Sequence, residues 1–233
     1  MSEGKLALVT GASRGIGAAT AEALAAVGYH VVLTARTASG LEDVENRIHD
    51  AGGSATIAPM DLTDGDSIGR LATAISERWG ALDVLVLSAA MLGTLTPVPH
   101  IDPKEFGRLM TLNVTAQATM IAAFDAMLRA APAGKVIGIT SSVGTTPRAY
   151  WGAYGASKAG FDALLGAYAD ETTGRVSVAI VDPGATRTAM RAKAYPGEDP
   201  ASLKDPEVVA QYMISLIADG FESGERFVVN LGP

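Results

Sequence analysis

Short apolar runs that alternate with helix-period segments constrain the fold of this chain more than any other feature. Residues 5–10, 30–35, 54–59, 82–88, 134–140, 175–181 and 226–231 read as buried strands. Alanine-rich segments with helical spacing predict helices at 15–28, 41–51, 65–79, 103–130, 151–171 and 206–219. Alternation of this kind produces right-handed crossovers and a parallel sheet with helices on both faces. The sequence therefore predicts one doubly wound α/β domain over residues 1–233, with a seven-stranded, mostly parallel sheet.

Composition and charge narrow the class of protein. Of the 233 residues, 48% are hydrophobic and 18% are charged, which suits a sheet covered on both faces and excludes a disordered chain. The formal net charge of -7 opposes nucleic-acid phosphates and anionic membranes, so we expect neither as a partner. The absence of cysteine excludes disulfides and fits a reducing compartment. Residues 1–5 lead into a strand without a signal-like segment, so we expect a cytoplasmic protein.

A glycine-rich turn joins the first predicted strand, which ends at Thr10, to a helix pattern that begins at Ala18. Glycine permits positive φ angles and close approach of the backbone, while the free N–H groups at a helix start attract phosphate. In this strand-to-helix context the turn predicts a Rossmann-type dinucleotide site rather than a plain tight turn. The residues expected to contact the cofactor are Gly11, Ser13, Arg14, Gly15, Ile16 and Gly17.

The end of the second predicted strand indicates which dinucleotide binds. NAD sites place an acidic side chain there for the ribose hydroxyls, whereas NADP needs that position free and a cation nearby. Here the strand ends in Thr34, Ala35 and Arg36, so Arg36 together with Arg14 can hold a 2′-phosphate. The sequence favours NADP(H), with NAD(H) as the other possibility; in that case both arginines are ordinary solvated surface residues.

Tyr154 and Lys158 stand four residues apart in a predicted helix, so their side chains project from the same face. A free tyrosine has a pKa of about 10, and bringing it near 7 requires about 4 kcal/mol, which a lysine ammonium and a cationic nicotinamide can share. Such a pair can pass a proton. The alternative is an ordinary amphipathic helix with a packed tyrosine and an exposed lysine, which an isolated pair does not exclude.

Two further residues belong to the same set of motifs as the glycine-rich turn and the tyrosine–lysine pair. Ser141 lies thirteen residues before Tyr154, and Asn113 lies in a predicted helix. Together these motifs resemble the single-domain branch of the short-chain dehydrogenase/reductase family over nearly the whole chain. The resemblance implies that Ser141 hydrogen-bonds the substrate oxygen and Tyr154 passes a proton. It also implies that Lys158 binds the nicotinamide ribose and that Asn113 holds a water in the proton relay.

The same resemblance implies further cofactor contacts after the third, fourth and sixth strands. These residues are Asp61, Leu62, Ser88, Ala89, Ala90, Pro183, Gly184, Thr186 and Thr188. For Asp61, a local turn or cap is the alternative role. The chain departs from the family at 87–90, where Leu-Ser-Ala-Ala replaces the usual Asn-Asn-Ala-Gly and removes amides that can tether the sheet. The stretches 184–191 and 195–200 resemble the YciK-like subgroup, which implies no firm substrate.

Substrate and reaction are predicted from what surrounds these motifs. The long stretch 183–206, rich in Pro, Gly and charge, is interpreted as an irregular substrate lid. Leu92, Thr145, Trp151 and Met190 are expected to border an apolar substrate, such as a carbonyl of the 3-oxoacyl type. The main hypothesis is NADPH-dependent reduction of a ketone or aldehyde. The alternatives are a dinucleotide-binding regulator without turnover and an alcohol dehydrogenase working in the oxidative direction.

The remaining expectations concern metals and assembly. His30, His49 and His100 are widely separated and lack a ligand spacing, so no metal site is predicted. The helices at 103–130 and 151–171 resemble the family's pairing surfaces, which implies a homodimer or homotetramer. The only other expected partner is a small-molecule carbonyl or alcohol substrate.

Overall fold

The sheet has seven strands, and all of its strand pairs are parallel. The structure is a computed structural model that describes residues 4–230. The strands are β1 Leu6–Thr10, β2 His30–Thr34, β3 Ser54–Ile57, β4 Val84–Leu87, β5 Gly134–Ile139, β6 Val176–Asp182 and β7 Arg226–Val228. Their order across the sheet is β3-β2-β1-β4-β5-β6-β7. The predicted doubly wound α/β domain is confirmed.

Helices cover both faces of the sheet. They are α1 Gly15–Ala26, α2 Ala38–Asp50, α3 Gly65–Trp79, α4 Pro103–Met110, α5 Ala116–Ala130, α6 Gly152–Glu171, α7 Ala189–Ala194 and α8 Pro206–Asp219. One core lies under α1, α2 and α8 and takes Ala7 and Val9 from β1. The other lies under α3, α5 and α6 and takes Leu6 and Leu8. Successive side chains of a strand point to opposite faces, which explains why β1 is apolar throughout.

The chain reverses its direction of travel across the sheet between β1 and β4, which are neighbours in the middle. β2 and β3 extend to one side of β1, while β4 to β7 extend to the other. In open α/β sheets this switch point leaves a crevice beyond the carboxyl ends of the strands, because the crossover helices on its two sides pack against opposite faces. The fold therefore places the ends of β1, β4, β5 and β6 around one cleft.

Two predicted segments differ from the structure. The helix predicted at 103–130 is interrupted by a π-helical turn, Thr111–Thr115, between α4 and α5. The stretch 183–206, predicted as irregular, contains α7 and a 3-10 turn at Pro200–Ser202, and a parallel bridge between Thr186 and Lys204 closes its base. A single π-helical turn is short and stays within a helical segment, so the hydrophobic pattern of the flanking helices does not reveal it.

The last strand ends at Val228, before the predicted end at residue 231. Residue 231 belongs, with residues 1–3, 232 and 233, to the part of the chain outside the described residues. Within 4–230, none of the helices has the length and apolar character that crossing a bilayer requires.

Candidate active site

A cleft of about 1100 Å³ opens at the carboxyl ends of the strands. Ligand pockets commonly enclose about 300–1,000 Å³, so this cleft is large enough for an extended ligand. Every residue predicted to contact the cofactor lines it. Those residues are Gly11, Ser13, Arg14, Gly15, Ile16, Gly17, Arg36, Asp61, Leu62, Ser88, Ala89, Ala90, Tyr154, Lys158, Pro183, Gly184, Thr186 and Thr188. Their individual roles stay predictions.

The glycine-rich turn has the geometry of an open cradle. Gly11 and Gly15 have φ angles of 66° and 58°, which side chains other than glycine rarely adopt. A Cβ atom on Gly17 would lie 2.3 Å from the carbonyl oxygen of Gly11, so only glycine lets α1 start this close to the end of β1. Among residues 4–230, no side chain caps the start of α1. Its first N–H groups are therefore suited to an anion from the cleft.

Arg36 and Asp61 lie on the cleft just after β2 and β3. Both side chains belong to exposed residues that line the cleft. The Oδ1 atom of Asp61 accepts hydrogen bonds from the backbone N–H of Thr63 at 2.9 Å and from its hydroxyl at 2.8 Å. These bonds, helped by the charge of Arg36, lower the pKa of Asp61. Asp61 thus forms the local turn that the sequence left open as its alternative role, and it also lines the cleft.

Tyr154 and Lys158 are buried on one face of α6, at the inner end of the cleft. The Nζ atom of Lys158 donates to the carbonyl oxygen of Ile139 at 2.7 Å and lies 5.8 Å from the centre of the Tyr154 ring. Burial lowers the pKa of Lys158 to about 8, because a buried ammonium loses hydration. The alternative of an exposed lysine on an ordinary amphipathic helix is therefore wrong.

The pKa of Tyr154 moves opposite to the expected direction. Burial raises it, and the negative charges of Asp182 and Asp162 add to the effect. A buried phenolate is poorly solvated, and two carboxylates repel it. In the cofactor-free protein the phenol therefore stays protonated, and the neighbouring lysine alone does not bring its pKa toward neutrality.

Ser141 and Asn113 occupy different positions relative to the cleft. Ser141 lines it, just after β5. Asn113 is fully buried in the π-helical turn and does not line the cleft. Its Oδ1 accepts from the N–H of Met91 at 2.9 Å, while its Nδ2 donates to the carbonyl oxygen of Met91 at 2.9 Å and to Ser157 Oγ at 3.0 Å. The side chain thus ties the segment after β4 to α6, and its role in holding a water stays a prediction.

The Leu-Ser-Ala-Ala segment after β4 is tethered without the family's usual amides. The hydroxyl oxygen of Thr10 accepts from the N–H groups of Ser88 at 3.0 Å and Ala89 at 3.1 Å. On the other side, Nε2 of Gln117 donates to the carbonyl oxygen of Ala89 at 3.1 Å. Thr10 and Gln117 replace the missing side chains, and their only sequence signal is that polar residues occupy buried positions.

The part of the cleft around Tyr154 is apolar. Leu92, Val143 and Tyr154 form a buried cluster against which Leu95, Trp151, Met190 and Ala194 pack. The hydroxyl of Tyr154 lies 3.9 Å from Met190 Sδ. Of the residues expected to border the substrate, Leu92, Trp151 and Met190 line the cleft, whereas Thr145 is exposed outside it and donates to the carbonyl oxygen of Ser142.

Sequence reasoning missed three acidic residues that line the cleft, which are Asp43, Glu105 and Asp182. Asp182 is buried at the end of β6, where its Oδ1 accepts from the N–H of Gly184 at 2.9 Å. An aspartate that ends a buried apolar strand, directly before Pro-Gly, is the signal that would have identified it. As for metal ligands, no group of three or more His, Cys, Asp or Glu that could hold a metal ion occurs within residues 4–230.

Comparison with known proteins agrees with this site. Residues 5–199 match the short chain dehydrogenase family. The uncharacterized oxidoreductase YciK of Escherichia coli is 34% identical over 218 residues, which cover 92% of this chain and 86% of that protein. A short-chain dehydrogenase from Shigella flexneri complexed with NADP has a TM-score of 0.93 at 34% identity and covers 96% of both chains.

A further structure, a short-chain dehydrogenase from Escherichia coli CFT073 complexed with NADPH, has a TM-score of 0.92 at 34% identity. The match covers 96% of this chain and 95% of that one. The family model matches most of the chain, and the relatives match it over nearly their full length. Both findings agree with the site geometry. The chain belongs to the short-chain dehydrogenase/reductase family, in its YciK-like subgroup, and is an NAD(P)-dependent oxidoreductase.

Proposed function

We propose that this enzyme uses NADPH to reduce a ketone or aldehyde with an apolar body to the corresponding alcohol. The observation that carries the proposal is the burial of Tyr154 and Lys158 on one helix face, inside the same cleft as the glycine-rich turn. A proton donor and a dinucleotide cradle in one cleft suit hydride transfer coupled to proton transfer.

The choice of NADPH rests on Arg14 and Arg36. Both are exposed residues at the rim of the cleft, where a guanidinium can make charge-assisted hydrogen bonds to a 2′-phosphate. In the similar structures from Shigella flexneri and Escherichia coli the bound molecules are NADP and NADPH. The residues present fit the cofactor, because the glycine-rich turn keeps the start of α1 uncapped and open to a pyrophosphate.

The chemistry then divides among the residues of the inner cleft. NADPH, when bound, supplies the hydride. The Ser141 hydroxyl donates a hydrogen bond to the substrate oxygen, and the Tyr154 hydroxyl delivers a proton to that oxygen as negative charge develops on it. The raised pKa of Tyr154 keeps the phenol protonated, which is the state that a reductase needs at the start of turnover.

Lys158 stabilises the phenolate that remains. With a pKa of about 8, the lysine is mainly an ammonium at neutral pH, and Ile139 holds it beside the phenol ring. In this proposal Lys158 also binds the nicotinamide ribose, and Asn113 belongs to the path that returns a proton to Tyr154. The oxidative direction uses the same groups, but it requires a deprotonated phenol at the outset, which burial disfavours.

The segment 183–206 acts in this proposal as the substrate lid. Met190 contacts the Tyr154 hydroxyl, and Tyr195 lies 5.7 Å from Trp151 between ring centres. Arg191 lies 3.9 Å above the Tyr195 ring and donates hydrogen bonds of 2.6 and 2.5 Å to the Glu198 carboxylate. These contacts cover the apolar end of the cleft and favour an apolar or 3-oxoacyl-type carbonyl. Homo-oligomeric assembly and a cytoplasmic location stay predictions.

A panel of carbonyl compounds tests the proposal. NADPH consumption is followed by absorbance with the wild-type enzyme and with Tyr154→Phe, whose loss of the proton donor should lower kcat about 10²- to 10⁴-fold. Tyr212→Phe, in α8 on the other face of the sheet, is the matched control and should retain full activity. Retention of most activity by Tyr154→Phe would refute the assignment. Tight NADPH binding without turnover across a broad panel would instead indicate a dinucleotide-binding regulator.

A further inference from the structure

An ion pair lies behind the catalytic helix, outside the cleft. Asp162 is one helical turn after Lys158 in α6, and its Oδ2 atom contacts Nη2 of Arg226 at the start of β7. The side chains are 13% and 27% exposed, and neither residue lines the cleft. The two residues are 64 positions apart in the chain, so no local sequence pattern connects them.

The same carboxylate also touches the turn that follows Ser141. A Cβ atom on Gly144 would lie 2.8 Å from Asp162 Oδ2, 3.1 Å from the carbonyl carbon of Lys158 and 3.2 Å from the nitrogen of Ala159. The 3-10 turn Ser142–Gly144 therefore lies directly on α6, one turn along from Tyr154 and Lys158. Asp162 thus joins the Ser141 turn, the catalytic helix and the edge strand β7.

Stability alone does not account for this pair. A largely buried ion pair contributes little net stability unless hydrogen bonds satisfy its remaining atoms. Here Oδ1 of Asp162 and Nη1 of Arg226 are buried without a hydrogen-bond partner among residues 4–230. A charged pair kept at an incompletely satisfied position next to a catalytic helix points to a functional reason.

We infer that Asp162 and Arg226 form a positioning pair that holds the Ser141 turn against the catalytic helix and sets the charge behind Tyr154 and Lys158. The inference rests on the proposed function of those two residues. Burial raises the pKa of Tyr154 and lowers that of Lys158, and the negative charges of Asp162 and of Asp182 at the end of β6 push both pKa values upward. The positive charge of Arg226 in β7 offsets the negative charge of Asp162, and that of Lys204 interacts with the negative charge of Asp182.

The test reads the pKa of Lys158 directly, in the full chain without cofactor. Protein labelled with 13C-lysine is titrated by NMR, and Lys158→Met assigns the signal. Asp162→Asn should lower the pKa of Lys158 by about one pH unit, because it removes a nearby negative charge. Arg226→Met should raise it by about half a unit, because Asp162 is then uncompensated. The double variant Asp162→Asn/Arg226→Met removes both charges, so its Lys158 should have a pKa close to the wild-type value.

Steady-state kinetics of the same variants provide a second test of the inference. Asp162→Asn should lower kcat about tenfold and change the KM for NADPH less than about twofold, because the pair lies outside the cleft. Glu22→Gln breaks the exposed Glu22–Arg47 pair between α1 and α2 and should change neither value, which makes it the control. If Asp162→Asn folds poorly by circular dichroism, Arg226→Met and Arg226→Lys still decide, since only Arg226→Met removes the positive charge and should raise the pKa of Lys158.

Shifts of the Lys158 pKa in the same direction for Asp162→Asn and Arg226→Met, or no shift in either, would overturn the inference. A loss of kcat with an unshifted pKa would overturn it too, because the pair would then not set the charge behind Tyr154 and Lys158. Failure of the proposed function looks different. It would appear as activity retained by Tyr154→Phe, or as no turnover at all, while the NMR titration still reports the charge coupling.

Discussion

Replacing Gly17 by alanine should damage both stability and cofactor binding. The new Cβ would lie 2.3 Å from the carbonyl oxygen and 2.8 Å from the carbonyl carbon of Gly11. Nonbonded carbon atoms normally approach to about 3.5–4.0 Å, so α1 and the end of β1 must separate by about 1 Å. Overpacking against rigid backbone costs about 3 kcal/mol, and alanine regains about 1 kcal/mol of helix propensity. The expected loss is about 2 kcal/mol, which corresponds to a Tm lower by about 4–8 °C.

Thermal unfolding without cofactor and NADPH titration measure the two effects. Because the separation of α1 from β1 widens the phosphate cradle, the Kd for NADPH should rise at least about tenfold. Gly166→Ala is the matched control, since a Cβ there meets no atom within 4 Å. It lies inside α6, so alanine should stabilise the protein by about 0.5–1 kcal/mol. Equal melting temperatures for Gly17→Ala and Gly166→Ala, with unchanged NADPH affinity, would refute the reasoning from close approach.

Two further substitutions test the cofactor preference and the burial of the lysine. Arg36→Ala should raise the KM for NADPH about tenfold and leave that for NADH within about twofold, since only NADPH carries the 2′-phosphate; equal effects on both would contradict the assignment. Lys158→Met should stabilise the cofactor-free protein by about 3 kcal/mol at pH 7, because the pKa of Lys158 falls from 10.5 to about 8 on folding. The advantage should shrink as the pH rises from 8 to 10.5, where the folded lysine is already neutral and the unfolded one is not. Chemical denaturation at pH 7 and 9.5 checks this, and a pH-independent difference would argue against a buried lysine.

Much of the fold and the centre of the site follow from local sequence patterns. Strand and helix periods, the turn from Gly11 to Gly17 and the four-residue spacing of Tyr154 and Lys158 involve neighbours in the chain, so the sequence shows them directly. The placement of glycine and proline likewise marks where strands give way to turns. These local rules, together with the family resemblance, predicted a set of residues that the structure gathers around one cleft.

Other properties depend on contacts between distant residues, which no local pattern reports. Thr10 tethers Ser88 and Ala89 across the sheet, 78 and 79 positions away, and so replaces the amides whose absence was visible in the sequence. The interruption at 111–115 lies where Asn113 bonds Met91, 22 positions earlier. The pKa of Tyr154 rises because folding buries the phenol near Asp182 and Asp162. Sequence spacing determined which groups share a helix face, whereas only tertiary packing decided how much water and which charges surround them.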